Sequence, residues 1–357
     1  MVIDSLKSGG KERRLVELLK GFKKMPDVEC ELVILSKKIH YQAVYDQEIK
    51  IHIIERFPSQ DPRTFYKIYK ICKKFRPDIL QNWDSMSALF VIPAVKIFRI
   101  KLINAMIVSA PPKLAAFSKL NVRSKLSFPF ADVVLANSKA GLKAFNVTEK
   151  GHYIHNGIEI RRGDGLLPAE NVREKFGIST PKVVGMISSF LKYKDYITYL
   201  DAAQEILEQR DDVTFLCVGQ GVEFEIRKAG VKEQFNDKII FTGVQKDVES
   251  IINVLDIGVL TSFMEGVPNA LMECMLLSKP IVASAVGGVP ELIVDNKTGF
   301  LIEINAKDVL IEKITFLLKN QDVAIDMGKA GRARVLEEFS LNKMTDNFVN
   351  LYQTLLK

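Results

Sequence analysis

The 357-residue sequence contains no long hydrophobic run. Its longest apolar stretch, Ala88 to Val95, is followed at once by Lys96, whereas a helix that spans a bilayer needs about 20 apolar residues. We therefore expect no membrane-spanning helix. The first residues, MVIDSLKSGGKERR, place no charged region before an apolar stretch, so a secretory signal is not expected either. Both absences favour a cytoplasmic protein.

Cysteine and histidine are scarce, and neither is spaced as a metal site requires. The absence of CxxC spacing argues against a metal knuckle or a disulfide framework and favours a reducing compartment. We interpret the four cysteines, Cys30, Cys72, Cys217 and Cys274, as residues of the hydrophobic core. The histidines also lack ligand-like spacing, and they are His40, His52, His152 and His155.

Acidic residues are scarce in the first half of the chain. The net charge of +7 divides into 29 Lys and Arg against 16 Asp and Glu over residues 1–165, a net of +13, and 21 against 27 over the remainder, a net of −6. This asymmetry predicts that the basic half meets nucleic acid, acidic lipid or a charged glycan. Nucleic acid is disfavoured because no recognised binding motif accompanies the charge. The stretches KICKKFRP, KIFRIK and SKLNVRSKLSF are either solvated helix faces or a surface for an anionic membrane.

Short apolar runs alternate with amphipathic helical stretches along the chain, and this rhythm restarts at Lys182. Strands that alternate with helices predict parallel sheets covered by helices, which is an α/β fold. The length exceeds what one hydrophobic core organises, so we expect two domains. Gly, Pro and charged residues crowd together at 161–170, which marks the linker. The predicted divisions are 1–165, 166–338 and a last helix at 339–357 that could pack back on the first domain.

Two glycine pairs stand where a predicted strand meets a helix. Gly9 and Gly10 lack side chains that would keep a phosphate away from backbone N–H groups, and the helix N-terminus adds positive potential. Gly219 and Gly221 match only the first two positions of G-x-G-x-x-G, because Phe224 occupies the third. Each pair is compatible with a turn that contacts a nucleotide or with a plain tight turn.

The stretch EGVPNALMECM, residues 265–275, places Glu265 and Glu273 around a turn that opens a helix. Asn269 is a candidate helix cap, so Glu273 lies about one turn inside the helix and does not share a helical face with Glu265. The pattern fits a phosphate seat at the helix N-terminus flanked by two carboxylates, or a surface loop with two solvated glutamates. Lys194 also follows a predicted strand, where an ammonium can meet a diphosphate.

Four stretches in this order and spacing, IHNGIEI, FTGVQKDVESIINVLDIGVLTS, EGVPNALMECM and GGVPELIVDNKTGFLI, resemble the retaining glycosyltransferases of family 4, which belong to the group 1 glycosyltransferases. The resemblance covers nearly the whole chain and is most specific over residues 183–302. It implies the GT-B fold, in which two Rossmann-like parallel-sheet domains face a central cleft. The acceptor site would lie mainly in the first domain and the nucleotide-sugar site mainly in the second.

The family's E-x7-E motif is matched by Glu265 and Glu273. The resemblance implies that Glu273 binds the ribose hydroxyls and that Glu265 touches the donor sugar. Lys194 would neutralise the phosphates, which makes Glu265 and Lys194 the catalytic candidates. The other donor-binding residues that the resemblance implies are Gly9 and Gly10 over the diphosphate, Gly243 and Val244 near the base, and Gly266, Val267, Pro268 and Asn269 along the sugar and phosphates.

The family implies retention at the anomeric carbon by front-face attack, with the departing diphosphate helping to deprotonate the acceptor. No two aspartates stand two positions apart, so the D-x-D metal motif of many other glycosyltransferases is absent and we expect neither a metal nor another cofactor. Many members place an arginine five residues before the lysine, where this chain has Ser189. Phosphate stabilisation would then rest on Lys194 and backbone amides, or draw on Arg13 or Arg14. A histidine that many members carry in the strand reading LINAMI is also absent.

These features predict an enzyme that moves a hexose or an N-acetylhexosamine from a UDP- or GDP-sugar to a glycan or lipid-linked acceptor, in cell-surface polysaccharide or lipopolysaccharide synthesis. Such an enzyme would be cytoplasmic and peripheral at the inner face of the cell membrane. Its partners would be the donor, the acceptor and an anionic membrane surface, without nucleic acid. A sugar-nucleotide epimerase on the same fold and a non-catalytic partner protein are the alternatives.

Overall fold

The computed structural model of the chain describes residues 1–7, 9–23, 25, 27–58 and 60–357. The chain divides into two compact units: Met1–Gly157 together with Leu341–Lys357, and Ile158–Ser340. These boundaries differ from the divisions at 165/166 and 338/339 that the sequence suggested. In the second unit the N–H of Ile158 donates to the carbonyl oxygen of Phe339 at 2.9 Å, so the chain enters and leaves this unit side by side.

Each unit contains one parallel sheet, which confirms the predicted pair of Rossmann-like α/β domains. The first sheet consists of β1 (Val2–Ile3), β2 (Glu31–Ile34), β3 (Lys50–Ile53), β4 (Ile79–Asn82), β5 (Lys101–Ile107), β6 (Val133–Ala136) and β7 (Gly151–Tyr153), in the order β3-β2-β1-β4-β5-β6-β7. The second consists of β8 (Lys182–Ile187), β9 (Val213–Val218), β10 (Ile239–Gly243), β11 (Ile257–Leu260), β12 (Ile281–Ser284) and β13 (Phe300–Ile302), in the order β10-β9-β8-β11-β12-β13. Strand order reverses between β1 and β4 and between β8 and β11. Ligands of open α/β sheets bind beyond the carboxyl ends of the strands at such a switch point.

Helices connect the strands of both sheets. Those in the described residues are α1 (Gly10–Phe22), α2 (Arg63–Phe75), α3 (Ser85–Phe98), α4 (Lys119–Ser127), α5 (Lys139–Ala144), α6 (Ala169–Phe176), α7 (Tyr196–Gln209), α8 (Phe224–Ala229), α9 (Val248–Asn253), α10 (Asn269–Leu276), α11 (Val289–Leu292), α12 (Lys307–Lys319), α13 (Gln321–Glu338) and α14 (Leu341–Leu356). Among these residues we find no helix whose length and apolar composition would let it cross a bilayer.

Helices cover both faces of the first sheet. On one face α1 buries Leu15, Leu18, Leu19 and Phe22, whose three- and four-residue spacing places them on one side of the helix. The last helix, α14, packs against α1 and adds Phe348 to the same cluster. On the opposite face α2 and α3 bury Ile68 and Phe90 against the sheet. The residues of α14 therefore complete the core of the first unit.

The central strands of the second sheet are apolar and buried, as expected for parallel strands with helices on both sides. The strands β8 and β11 are neighbours at the switch point. The loop after β8 leads to α7 and carries Lys194, whereas the loop after β11 leads to α10 and carries Glu265. The fold therefore delivers two of the predicted site residues to the same edge of one sheet.

Candidate active site

Two loops at the switch point of the second sheet are joined by hydrogen bonds. One follows β8 and the other follows β11. The N–H of Asp195 donates to the Thr261 carbonyl at 3.0 Å, and the N–H of Phe263 donates to the Tyr193 carbonyl at 2.9 Å. The Thr261 hydroxyl donates in turn to the Asp195 carbonyl at 2.7 Å. This pairing fixes the backbone on both sides of Lys194.

Lys194 and Glu265 form an ion pair between Nζ and Oε1. Glu265 is only 8% exposed, and the ammonium also lies 5.4 Å from the centre of the Tyr193 ring, a cation–π contact. Buried charges need such partners because an isolated charge is strongly disfavoured away from water. An anion can therefore draw Lys194 away from Glu265 only if Glu265 gains hydrogen bonds of its own.

The helix that follows Glu265 begins one residue earlier than the sequence suggested. Pro268 occupies the cap position with an extended backbone, φ −77° and ψ 125°, and Asn269 is the first helical residue. The predicted cap at Asn269 is therefore wrong. Because proline carries no side-chain acceptor, the first turn of α10 is not neutralised by its own cap and keeps the positive potential of a helix N-terminus.

Glu273 lies one turn inside α10 and is 4% exposed. Nη2 of Arg162 lies 3.4 Å from Oε1 of Glu273, and the same nitrogen pairs with Glu249 in α9. Arg162 belongs to the short 3-10 turn Ile160–Gly163, within the stretch that the sequence marked as a linker. The sequence analysis missed this residue because Gly, Pro and charge in a row give no sign of a buried partner. The guanidinium orients Glu273 and offsets its charge.

The loop after β12 contacts the backbone of the Glu265 loop. Gly287 has φ +53°, a left-handed conformation that favours glycine, and the N–H of Gly288 lies 3.4 Å from the Glu265 carbonyl oxygen. The N–H of Ser262 donates to the hydroxyl of Ser284 at 3.2 Å, at the end of β12. The GGVPE and EGVPN stretches, which were separate patterns in the sequence, therefore meet in space.

Gly243 and Val244, the predicted neighbours of the base, lie at the end of β10. Gly243 has φ +67°, and Val244 is 74% exposed. The Gly243 carbonyl accepts a hydrogen bond from the N–H of Gly219 at 3.0 Å. Gly219 itself has φ +143°, and a Cβ there would clash with the carbonyl of Ser188. The close contact between the Gly219 and Ser188 loops explains why position 219 is glycine, and no ligand contact is needed to explain it.

In the first unit, Gly9 precedes α1 and Gly10 opens it. The carboxylate of Glu12 fills the space that a Cβ on Gly9 would take, and Lys11 lies 3.3 Å from Glu12. An acidic group in the first turn is favourable at a helix N-terminus. A diphosphate at Gly9 and Gly10 would have to displace this carboxylate.

Arg14 is a core residue of the first unit. It is 3% exposed, its guanidinium lies 5.6 Å from the Trp83 ring and 5.2 Å from the Phe348 ring, and it donates to the Ile154 carbonyl. Burial lowers the pKa of Arg14 to about 9. The structure does not support the expectation that Arg14 helps to hold phosphate, because the side chain is buried between α1 and α14.

Comparison with known proteins shows that the chain is similar to glycosyltransferases. Residues 168–334 match the family described as "Glycosyl transferases group 1", and the match includes Lys194, Glu265 and Glu273. N-acetyl-alpha-D-glucosaminyl L-malate synthase of Bacillus anthracis is 25% identical over 328 residues, which are 89% of this chain and 86% of that protein. The Escherichia coli UDP-Gal:alpha-D-GlcNAc-diphosphoundecaprenol alpha-1,3-galactosyltransferase is 23% identical over 82% of this chain and 79% of its own.

A solved structure supports the fold over the full length. The Anabaena protein HepE in complex with UDP-glucose superposes with a TM-score of 0.85 at 20% identity, covering 99% of this chain and 98% of HepE. At this identity the likeness is evidence for the architecture alone. It agrees with the GT-B class that the resemblance implied.

Proposed function

We propose that this chain, a group 1 glycosyl transferase by its residues 168–334, transfers a sugar from a UDP- or GDP-sugar to a glycan or lipid-linked acceptor with retention at the anomeric carbon. The observation that carries the proposal is the span from Glu265 to Glu273. Two buried carboxylates stand on either side of a helix N-terminus, at the switch point of the second sheet, and each already has a cationic partner.

Glu273 is the residue that we assign to the ribose. A carboxylate accepts hydrogen bonds from two neighbouring hydroxyls, and Arg162 holds this one in a fixed orientation. The backbone from Gly266 to Asn269 would meet the phosphates and the sugar, where the N-terminus of α10 favours an anion. Gly243 and Val244 would contact the base through an exposed strand end. The roles of Gly9 and Gly10 stay predictions from the resemblance.

Lys194 and Glu265 are assigned to the reacting end of the donor. When the donor binds, the ammonium would move from Glu265 to the diphosphate, and Glu265 would accept hydrogen bonds from sugar hydroxyls in its place. In the transfer, the bond between the anomeric carbon and the diphosphate oxygen breaks, and its electron pair leaves with the diphosphate. The acceptor oxygen bonds to the same face of that carbon and gives its proton to the diphosphate. Lys194 and the α10 amides stabilise the charge on the leaving group, without a metal.

The relatives support the choice of donor and acceptor class. HepE structures contain UDP and UDP-glucose, and the Escherichia coli relative takes its galactose from UDP-Gal to a diphosphoundecaprenol acceptor. We therefore favour UDP over GDP and a lipid-linked acceptor in cell-surface glycan synthesis at the inner face of the membrane. The same names include both galactosyl and N-acetylglucosaminyl transfer, so hexose and N-acetylhexosamine are equal candidates.

A panel of UDP- and GDP-sugars, incubated with the full chain and a membrane extract, tests the proposal by mass spectrometry of the products. One donor should be consumed, with its nucleoside diphosphate released and a single sugar added to an extract component. The same rate is expected in excess EDTA, whereas loss of activity that manganese restores would contradict the metal-free mechanism. Conversion of a donor to its epimer without acceptor would identify an epimerase, and no binding of UDP or GDP would favour a non-catalytic protein.

A further inference from the structure

One segment of the first unit is almost free of acidic residues. Residues 62–131, which contain α2, α3 and α4, hold 13 Lys and Arg against two Asp, a net of +11 by 13 − 2. Asp84 is half-buried and accepts hydrogen bonds from the N–H groups of Met86 and Ser87 at the start of α3, so only Asp78 faces solvent. Twelve of the 13 cations are exposed and Arg123 is half-buried. Arg63 pairs with Asp61 and Lys101 with Asp132, two carboxylates that lie just outside this segment. Nine of the 13 cations belong to α2, α3 or α4, so these helices carry most of the positive charge of the segment.

These helices form a continuous surface, which we call the α2–α4 face. The helix α2 packs against α3, and α3 packs against α4. Their inner sides contribute to the hydrophobic cluster on the sheet, with Ile68 and Phe90 among its members. The cations of these helices are exposed, except for the half-buried Arg123. The three helices therefore keep their buried apolar residues toward the sheet and their cations toward solvent.

Several large apolar side chains that stand among these cations are mostly exposed. Phe117 is 94% exposed, Ile97 is 62% exposed and Leu126 is 55% exposed. Val122, Leu126 and Phe130 follow one another at four-residue intervals, so they lie along one side of α4 and the turn after it. Exposed apolar groups in such a cluster mark an interaction site rather than ordinary surface.

Cations and aromatic rings are also paired on this face. Nζ of Lys96 lies 5.2 Å from the centre of the Phe130 ring, and Nζ of Lys70 lies 4.7 Å from the Tyr66 ring. A lysine that lies over an apolar ring can keep its ammonium near phosphate headgroups while the ring and the side-chain stem enter a less polar layer. Basic and aromatic side chains are combined in this way on protein surfaces that lie at a membrane interface.

We propose that the α2–α4 face docks on an anionic lipid bilayer. Anionic headgroups complement the net charge of +11, and the headgroup boundary takes up Phe117, Ile97 and Leu126, which remain in water in the free protein. A nucleic acid or an anionic glycan would satisfy the cations but would leave the aliphatic side chains in water. The inference extends the proposed function, because it names the surface that would bring the enzyme to a lipid-linked acceptor, but membrane binding itself needs no catalysis.

Flotation of the full chain with vesicles tests this surface. With phosphatidylcholine alone the protein should remain in the dense fraction, whereas vesicles that also contain phosphatidylglycerol should carry it upward at low salt. The variant Lys119→Glu with Lys125→Glu should lower the partition coefficient at least about tenfold, since each cation near an anionic leaflet contributes about fivefold. The variant Phe117→Ser with Leu126→Ser should abolish the fraction that stays bound at high salt.

Matched controls lie in the second unit. Lys228→Glu with Lys319→Glu changes the net charge equally, and Ile226→Ser removes an exposed aliphatic side chain, so neither should alter flotation. Flotation of the Lys119→Glu and Lys125→Glu variant at the wild-type level would overturn the proposal, as would retention on RNA or polyphosphate without vesicle binding. UDP binding in the same samples separates the two proposals: flotation without UDP binding refutes the donor site, and UDP binding without flotation refutes the α2–α4 face.

Discussion

Arg162 places Nη2 3.4 Å from Oε1 of Glu273 and pairs the same nitrogen with Glu249. One guanidinium therefore holds two carboxylates from two helices, α9 and α10. Arg162 lies in the 3-10 turn that follows the start of the second unit, so the segment by which the chain enters this unit also contributes to the proposed donor site. This contact distinguishes Glu273 from a glutamate on a helix surface.

The first prediction concerns nucleotide affinity. Glu273→Gln and Arg162→Ala should each raise the Kd for UDP about 10- to 100-fold in calorimetry, because a hydrogen bond to a charged group contributes about 1.5–3 kcal/mol. Arg162→Ala should raise KM more than it lowers kcat, and Arg162→Lys should recover part of the affinity. Arg161→Ala is the control, since the neighbouring side chain is exposed and should leave UDP binding unchanged. Equal Kd values for Arg161→Ala and Arg162→Ala would count against the assigned role.

The second prediction concerns the ion pair between Lys194 and Glu265. Lys194→Met or Glu265→Gln leaves one buried group without its partner, so each should lower the free energy of unfolding in urea by about 3–5 kcal/mol. The double variant should lose less than the sum of the two. Removal of either side chain should also lower kcat about 100-fold or more.

The exposed pair Lys232–Glu208, with N and O 2.7 Å apart, is the control for that cycle. Its coupling should stay below about 1 kcal/mol because solvent screens it. Additive losses at Lys194 and Glu265 would mean that the two side chains do not interact in solution.

The third prediction concerns Gly219, whose φ of +143° and packing against Ser188 exclude a side chain. Gly219→Ala should lower the free energy of unfolding by more than about 3 kcal/mol, since it adds a clash with backbone to the strain of the left-handed region. Gly177→Ala is the matched control: its φ is +66°, but no atom lies near the added methyl. It should cost about 1 kcal/mol. Equal losses of stability for Gly219→Ala and Gly177→Ala in thermal or urea unfolding would show that the loop at Ser188 moves to make room for the added methyl group.

The fourth prediction concerns pH. Burial, followed by the charge of Glu273, raises the pKa of Cys274 to about 12. A thiol whose folded pKa is raised keeps its stabilising contribution below the unfolded pKa of about 8.5 and loses it as the pH rises toward the folded value. The stability difference between wild type and Cys274→Ala should therefore shrink above about pH 9, by up to about 1.4 kcal/mol per pH unit.

Leu276→Ala controls for the truncation itself, because Leu276 is buried on the same helix and does not titrate. Its stability difference from wild type should stay constant over the same pH range. A constant difference for Cys274→Ala would mean that the thiol does not stay buried.

Particular residues show how far the sequence could be read. The alternation of strands and helices predicted both parallel sheets, and the patterns around Lys194 and Glu265 were each visible as loops after a strand. Their ion pair was not, because it depends on hydrogen bonds between loops 71 positions apart. Arg162 was hidden in a stretch typical of linkers. Arg14 looked available because a basic residue near the start of a helix gives no sign that its side chain is buried against Trp83 and Phe348. The start of α10 was also predicted one residue too late, because Pro268 occupies the cap position although asparagine has the higher cap propensity.

The most direct test of the proposed donor site is hydrogen–deuterium exchange of the full chain with and without saturating UDP. Backbone amides that bind phosphate or become ordered by it exchange more slowly. The account predicts slower exchange in peptides that cover 263–276 and in those around Lys194. UDP binding that slows exchange only elsewhere, with these peptides unchanged, would contradict the claim that Glu265 and Glu273 hold the two ends of one donor.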